Sequence, residues 1–382
     1  MDNLTHSLVG LTLAKAGLER LSPCATIVCV AAANAADADV ASGLFGDRWT
    51  LLQNHRGITH SIAGTIAIGF LVPALALAVE HAASALAKRK PRIQFRGLLL
   101  ASMLAALTHP VLDWTNNYGV RPFLPWSGHW FYGDLVFFAD PYIWLLLGVP
   151  AFLLTSNSRL KIVGWCTLAV CAAALMFLAG RSTNPETASL PFALLIWIVV
   201  AIAAALLRLS GAQKRLGSGL AMAALLALVG YWGALSVVHR LAAADASSIA
   251  ERVVAPRGEH LIRAAAMPTA ASALRWQAVA ETDQAMYRFV VQLGNTNGPQ
   301  AADGSLTRYA KPTGPPEALV KMGEQDRRAR TLLDFARFPI AHVDAENCIG
   351  QTLVQFADLR YTEPGRERGN FSVNVPVDCP VR

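Results

Sequence analysis

Histidine and aspartate recur in this chain at the ends of its apolar stretches. His6 lies beside the start of one, Asp37 and Asp39 close another, His55 and His60 open a third, and His109 and Asp113 close a fourth. Imidazoles and carboxylates gathered at one place form the donor set that a borderline divalent metal such as zinc prefers. His109 and Asp113 are four residues apart, so on a helix both side chains leave the same face. Such a pair holds one ion together, or the carboxylate orients the imidazole from behind. Pro110 between them would loosen the helix near its end. The plainer alternative is a polar helix end facing interfacial water.

His55 and His60 are five apart, which does not suit one helical face. It suits a ligand from the entering loop and another from the first helical turn, with Gly57 giving the chain room and Thr59 or Ser61 as cap. Arg56 between them could pair with a carboxylate or with an anionic substrate group. The same His-Arg-His cluster could equally contact lipid headgroups. Asp37 and Asp39 could bind one ion, bridge two, or be a solvated helix end. Acids at a helix C-terminus oppose the dipole, and an arrangement that costs stability hints at function. His6 completes the set, with Asn3 or Thr5 as the expected cap of its helix, although alone it would pass for a surface histidine. Ionisable groups at membrane depth are expensive, so their recurrence there points to function.

The elements that must position these residues are membrane helices. The chain of 382 residues is 54% hydrophobic and 15% charged, with a mean hydropathy of +0.38, well outside the soluble balance. Runs at about 61–80, 97–114, 139–154, 162–179, 190–207 and 217–238 are long enough, or nearly so, to cross a hydrocarbon core of about 30 Å. Two weaker runs, 4–20 and 23–36, meet at Ser22-Pro23 and read as a helical hairpin, because proline suits a first helical turn. The N-terminus lacks the basic region of a cleavable signal peptide, so none is expected.

Net charge is +7, but the basic residues fall in clusters between apolar runs, which argues against a nucleic-acid partner. Twelve Lys and Arg lie in the connections on one side, against five on the other. The richer side is expected to be cytoplasmic. Eight helices then place both termini, and every candidate ligand, on the outer face. The loop from Trp114 to Pro141 is dense in Trp and Tyr, as interfacial segments are. Its Arg121, His129, Asp134 and Asp140 could also reach the site.

After Arg240 the composition turns mixed and polar. Alternation at period two in Trp276–Glu281, Tyr287–Gln292 and Thr352–Phe356 predicts half-buried strands. Pro316–Phe335 reads as one helix and Gly294–Gly314 as a flexible loop. The expected architecture is mainly α: a polytopic membrane domain over 1–240 and a small α+β soluble domain over 241–382, in the periplasm. Cys24, Cys29, Cys166 and Cys171 lie in apolar runs and read as packing residues, whereas Cys348 and Cys379 could form a disulfide in an oxidising compartment. No nucleophile elbow, phosphate loop or dinucleotide motif is present.

The motifs Asp2-x-Leu-Thr-His6, Asp37-x-Asp39, His55-Arg-Gly-x-Thr-His-Ser61, His109-x-x-x-Asp113, Asn117-Tyr-Gly119 and Asp140-Pro141 resemble those of the YdjM/YbcI-type membrane-bound metal-dependent hydrolases. The resemblance covers most of residues 1–150, and the tail, through Arg275-Trp276 and Asp358-Leu-Arg-Tyr361, is similar to longer members. One departure is Asn34-Ala-Ala36 before Asp37, where a proline is expected directly before the aspartate. The family is distantly similar to zinc-dependent phospholipases C. The resemblance implies one or two Zn²⁺ held by His6, Asp37, Asp39, His55, His60, His109 and Asp113, and hydrolysis of a phosphoester or lipid-derived substrate at the outer face. Metal-assisted hydrolysis would use Asp39 or Asp113 as general base, and Arg56 or Arg121 to stabilise developing charge. The competing expectation is a metal-stabilised scaffold or partner-binding protein. A transporter is disfavoured, because the last three runs are nearly free of the charge that a path would need.

Overall fold

The computed structural model describes residues 1–182, 184–211, 216–294, 300–302, 304–343, 350–365 and 369–379. All eight apolar runs form helices: α1 (Asn3–Lys15), α2 (Ala25–Asn34), α4 (Ile62–Leu86), α5 (Phe95–Trp114), α6 (Pro141–Thr155), α7 (Arg159–Gly180), α8 (Leu190–Ser210) and α9 (Ser218–Val254). A short α3 (Arg48–Asn54) interrupts the series. Among the described residues six helical stretches are long and apolar enough to cross a membrane. α1 and α6, with 13 and 15 residues, are shorter. α2 passes directly into a 3-10 segment, Ala35–Leu44, which lengthens it.

The chain divides into two compact units. The first comprises Met1–Asp39, Arg56–Val237 and Pro268–Ala273, and the second Val40–His55, Val238–Met267 and Leu274–Arg382. The main break, inside α9, falls close to the change in composition after Arg240. The assignment of Val40–His55 and Pro268–Ala273 is not visible in composition.

In the first unit α1, α2, α4 and α5 pack through small residues. Ala14, Ala25, Cys29, Ala32, Ala33, Ala101, Ala105 and Ala106 are buried together, which allows the close backbone approach that membrane helices use where water supplies no driving force. Gly10 marks the close approach of α1 and α2: a Cβ there would lie 2.7 Å from the Cys29 carbonyl oxygen. The outward faces carry Ile66, Phe70, Leu75, Val170, Phe177, Ile202 and Leu206, all exposed, as hydrocarbon-facing surfaces should be. Cys166 and Cys171 are exposed there too, and Cys24 is exposed at the start of α2; only Cys29 of the four is a packing residue. Two of the helix starts near the candidate residues are capped by side chains. Asp2 caps α1, accepting from Thr5 N at 3.0 Å, where Asn3 or Thr5 was expected. Ser61 caps α4, accepting from Gly64 N at 3.1 Å.

The second unit has two antiparallel sheets. One runs β1 (Leu261–Thr269), β2 (Ser272–Thr282), β3 (Ala285–Gln292), β4 (Thr307–Ala310), and the other β5 (Pro339–Val343), β6 (Gln351–Asp358), β7 (Ser372–Asp378). Trp276 pairs with Val291 and Ala278 with Phe289. This face of the first sheet takes Ala242, Ala246, Ile249 and Ala250 of α9. The other face, through Met267, Val279 and Met286, packs on Phe338, Ile340 and Ala357 of the second sheet region. A sheet buried on both faces reads as more continuously apolar than a half-exposed one. The expected helix 316–335 is two, α10 (Pro315–Gly323) and α11 (Arg327–Phe335). Gly323 packs so close to Phe356 that a Cβ would sit 3.0 Å from its ring, and Asp326 then caps the new helix. β4 lies inside the loop expected to be flexible. Cys379 is disulfide-bonded, while its expected partner Cys348 lies outside the described residues.

Candidate metal centre

His109 and Asp113 occupy the last turns of α5, Asp37 the 3-10 extension of α2, His60 the 3-10 turn Ile58–His60 before α4, and His6 the first turns of α1. Neighbouring helices run antiparallel, so these starts and ends meet. Asp37, His60, His109 and Asp113 each turn one donor atom towards a common point. His60 Nε2 lies 3.3 Å from Asp37 Oδ1, 3.2 Å from Asp113 Oδ2 and 3.0 Å from His109 Nε2. His109 Nε2 is 3.6 Å from Asp37 Oδ1 and 3.4 Å from Asp113 Oδ2. A tetrahedral ion with bonds of about 2.0–2.1 Å separates its ligands by roughly 3.3 Å. The spacings between these donor atoms fit a tetrahedral divalent ion.

The ring tautomers agree with that reading. His109 Nδ1 lies 2.6 Å from the Ala33 carbonyl, which can only accept. Nδ1 therefore carries the proton and Nε2 keeps its lone pair. His60 Nδ1 faces Asp39 Oδ2 at 3.2 Å and Thr59 Oγ1 at 3.0 Å, which again leaves Nε2 for the centre. Asp39 also accepts from Arg56 N and the Thr59 hydroxyl, each at 3.0 Å. It stands behind His60, where it orients the imidazole.

His6 stacks on His109, with ring centroids 3.8 Å apart and planes 10° from parallel. Its side chain is fully buried, yet neither ring nitrogen has a hydrogen-bond partner. Nε2 lies 3.5 Å from Asp113 Oδ1. An orphaned imidazole beside four converging donors is costly without something to bind. The residues present fit a divalent cation.

Arg56 is buried and holds the other oxygen of Asp113, Nη2 lying 3.0 Å from Oδ1. Nη1 donates to the Asp113 carbonyl, Asn116 Oδ1 and the Gly119 carbonyl at 3.0–3.2 Å, and the guanidinium lies 4.5 Å from the Tyr118 ring centroid. The Met1 amino group also contacts Asp113 Oδ1. Arg56 thus neutralises Oδ1, while Oδ2 faces the cluster. It positions Asp113 through Nη2, and its buried Nε has no hydrogen-bond partner.

His55 is the C-cap of α3, and its group of possible ligands is a second one, beside the four described. Arg121 is half-buried and stacks over Trp130 at 4.6 Å. Asp140 caps α6 and accepts from Tyr231 Oη at 2.9 Å, a structural role. His129 is exposed and Asp134 buried. Asn116, Gly119 and the Ala33 carbonyl were not foreseen. The adjacent Asn117-Tyr-Gly119 motif was the available signal for the first two; a backbone carbonyl leaves none.

Among known proteins, residues 1–183 match the family described as YdjM inner membrane protein. A stretch of 155 residues is 28% identical to the uncharacterized protein YfhP of Bacillus subtilis (strain 168), covering 38% of this chain and 43% of that protein. The chain thus spans less than half of that relative's length. No solved structure matches. The stretch similar to the YdjM inner membrane protein family, residues 1–183, contains all the residues that build the cluster.

Proposed function

We propose that this protein is a membrane-embedded metal-dependent hydrolase acting on phosphoesters, lipid-derived ones included, at the outer face of the inner membrane. The observation that carries the reading is the convergence of two imidazole nitrogens and two carboxylate oxygens at 3.0–3.6 Å. This nitrogen and oxygen donor set and its spacing favour zinc. A bound divalent ion supplies Lewis acidity and a water acidified towards neutrality. The chain's own residues do the rest. Ala33 and Asp39 fix the two tautomers, Arg56 holds Asp113, and apolar helices exclude bulk water. Asp37 is the one member of the four with appreciable exposure, 12% against 0–1%. We therefore assign the substrate's approach to its side, and the role of proton acceptor to its carboxylate in place of Asp39. Arg121 remains the arginine to meet a phosphoryl group. The charge asymmetry of the loops and the disulfide at Cys379 support placing the C-terminal unit in the periplasm.

One observation favours a second reading. Four protein donors saturate a tetrahedral ion, which is the hallmark of structural sites, and would make the cluster a staple for a scaffold. Cobalt substitution separates the two. In the hydrolase reading, phosphate shifts the visible spectrum of the Co²⁺ protein, and chelation abolishes phosphoester cleavage that zinc restores. A spectrum indifferent to phosphate, with no cleavage across phosphomonoesters and phosphodiesters, would leave the scaffold.

A further inference from the structure

The second unit holds a cleft of about 790 Å³, within the range of small-ligand sites, that the metal chemistry does not use. Its walls include Arg48 and Trp49 of α3, Arg328 of α11, and Ser372 and Asn374 of β7 with Asn370 just before it. α3 is seated there firmly. Trp49 is buried, Arg48 Nη2 donates to the Ser372 carbonyl at 3.0 Å, and the Arg48 guanidinium lies 4.3 Å from the Trp49 ring centroid.

The charges around the cleft do not cancel. Asp47 is taken by Arg327 at 2.7 Å, and Asp326 by Arg328 at 2.9 Å. Among the described residues no carboxylate pairs with Arg48, whose remaining donors border the cleft. On α11 the charge of Arg330 is offset by Asp334, which leaves Arg48 as the uncancelled charge at the cleft. Guanidinium groups lining one cleft together with carboxamides recognise oxyanions that also carry hydroxyls, since an arginine matches a phosphate fork and the asparagines both donate and accept.

We propose that this cleft is a binding site for a phosphate-bearing polar ligand, separate from the metal cluster, with Arg48 as its principal anchor. The phosphate belongs to a soluble phosphate ester or to a phospholipid headgroup. The inference does not rest on the hydrolase reading.

The test is calorimetric titration of the full-length, detergent-purified protein with sn-glycerol 3-phosphate, using glycerol as the uncharged control. Protein stripped of metal with chelator is expected to bind equally well, which separates this site from the cluster. Arg48→Ala is expected to weaken binding about tenfold or more, the worth of a charge-assisted hydrogen bond, while Arg48→Lys keeps part of it. Because Arg48 also packs on Trp49, Arg328→Ala serves as a second variant, with thermal melts verifying folding. Repeating the titration in nanodiscs distinguishes the sources. Binding abolished by phosphatidylglycerol but not by phosphatidylcholine assigns the site to an anionic headgroup, and binding unaffected by either assigns it to a soluble ester. Equal binding of glycerol and its phosphate, no binding of either, or full affinity in both arginine variants would overturn the proposal.

Discussion

Asp113→Ala is expected to destabilise the metal-free protein by about 3–5 kcal/mol, the cost of leaving a buried charge without its partner. Asp113 is 1% exposed, and Arg56 beside it is 5% exposed. Removing the carboxylate leaves the guanidinium with only neutral acceptors, Asn116 Oδ1 and the carbonyls of residues 113 and 119. The double variant Asp113→Ala/Arg56→Met should therefore recover part of the loss, because it removes both charges. Chemical denaturation in detergent with chelator present reads the cycle. If the double variant loses the sum of the two single losses, Arg56 is not acting through Asp113. Any metal retained by Asp113→Ala would separately contradict its place among the ligands.

The second large effect is expected from a residue with no polar chemistry. Gly10 stands one helical turn after His6 and faces α2, where a Cβ would meet the Cys29 carbonyl oxygen at 2.7 Å and Ala33 Cβ and Val30 Cα at 3.0 Å. Gly10→Val must push α1 from α2. That separates His6 from His109 and disturbs Ala33, whose carbonyl orients His109. Overpacking of this kind costs about 1–3 kcal/mol, and disturbing an orienting group costs roughly 10–100-fold in metal affinity. Gly164→Val on α7 is the control, since a Cβ there meets nothing within 4 Å. Competition titration with a zinc chelator measures both. Equal affinities in the two variants would mean that the α1–α2 contact does not set the site.

The helices and the converging ligands were legible for one reason. Desolvation is so costly for a charged group that His60, His109 and Asp113 at the margins of apolar runs stand out against their surroundings. What could not be read is which way each side chain points. Asp37 and Asp39 differ by one intervening alanine, yet one faces the cluster and the other faces the back of His60, a distinction made by the 3-10 path of residues 35–44. Arg56 looked available for substrate, because its partners Asn116 and Gly119 lie some sixty residues away in sequence. The grouping of His55 was not legible either, because nothing local shows that Val40–His55 folds with the second unit. Burial of Trp49 in that unit settles it, through contacts as distant in sequence as Ser372. The break between α10 and α11 likewise depends on the Phe356 ring against Gly323, a tertiary contact that helical periodicity does not contain.

Elemental analysis of protein purified without chelator tests the central claim most directly, with wild type beside His60→Ala and His109→Ala. A single bound ion per chain, zinc by the donor set, is expected in the wild type and lost from both variants, since each removes one of four converging donors from a different helix end. A wild type that holds no metal after zinc is added back, or variants that both keep a full complement, would contradict the account.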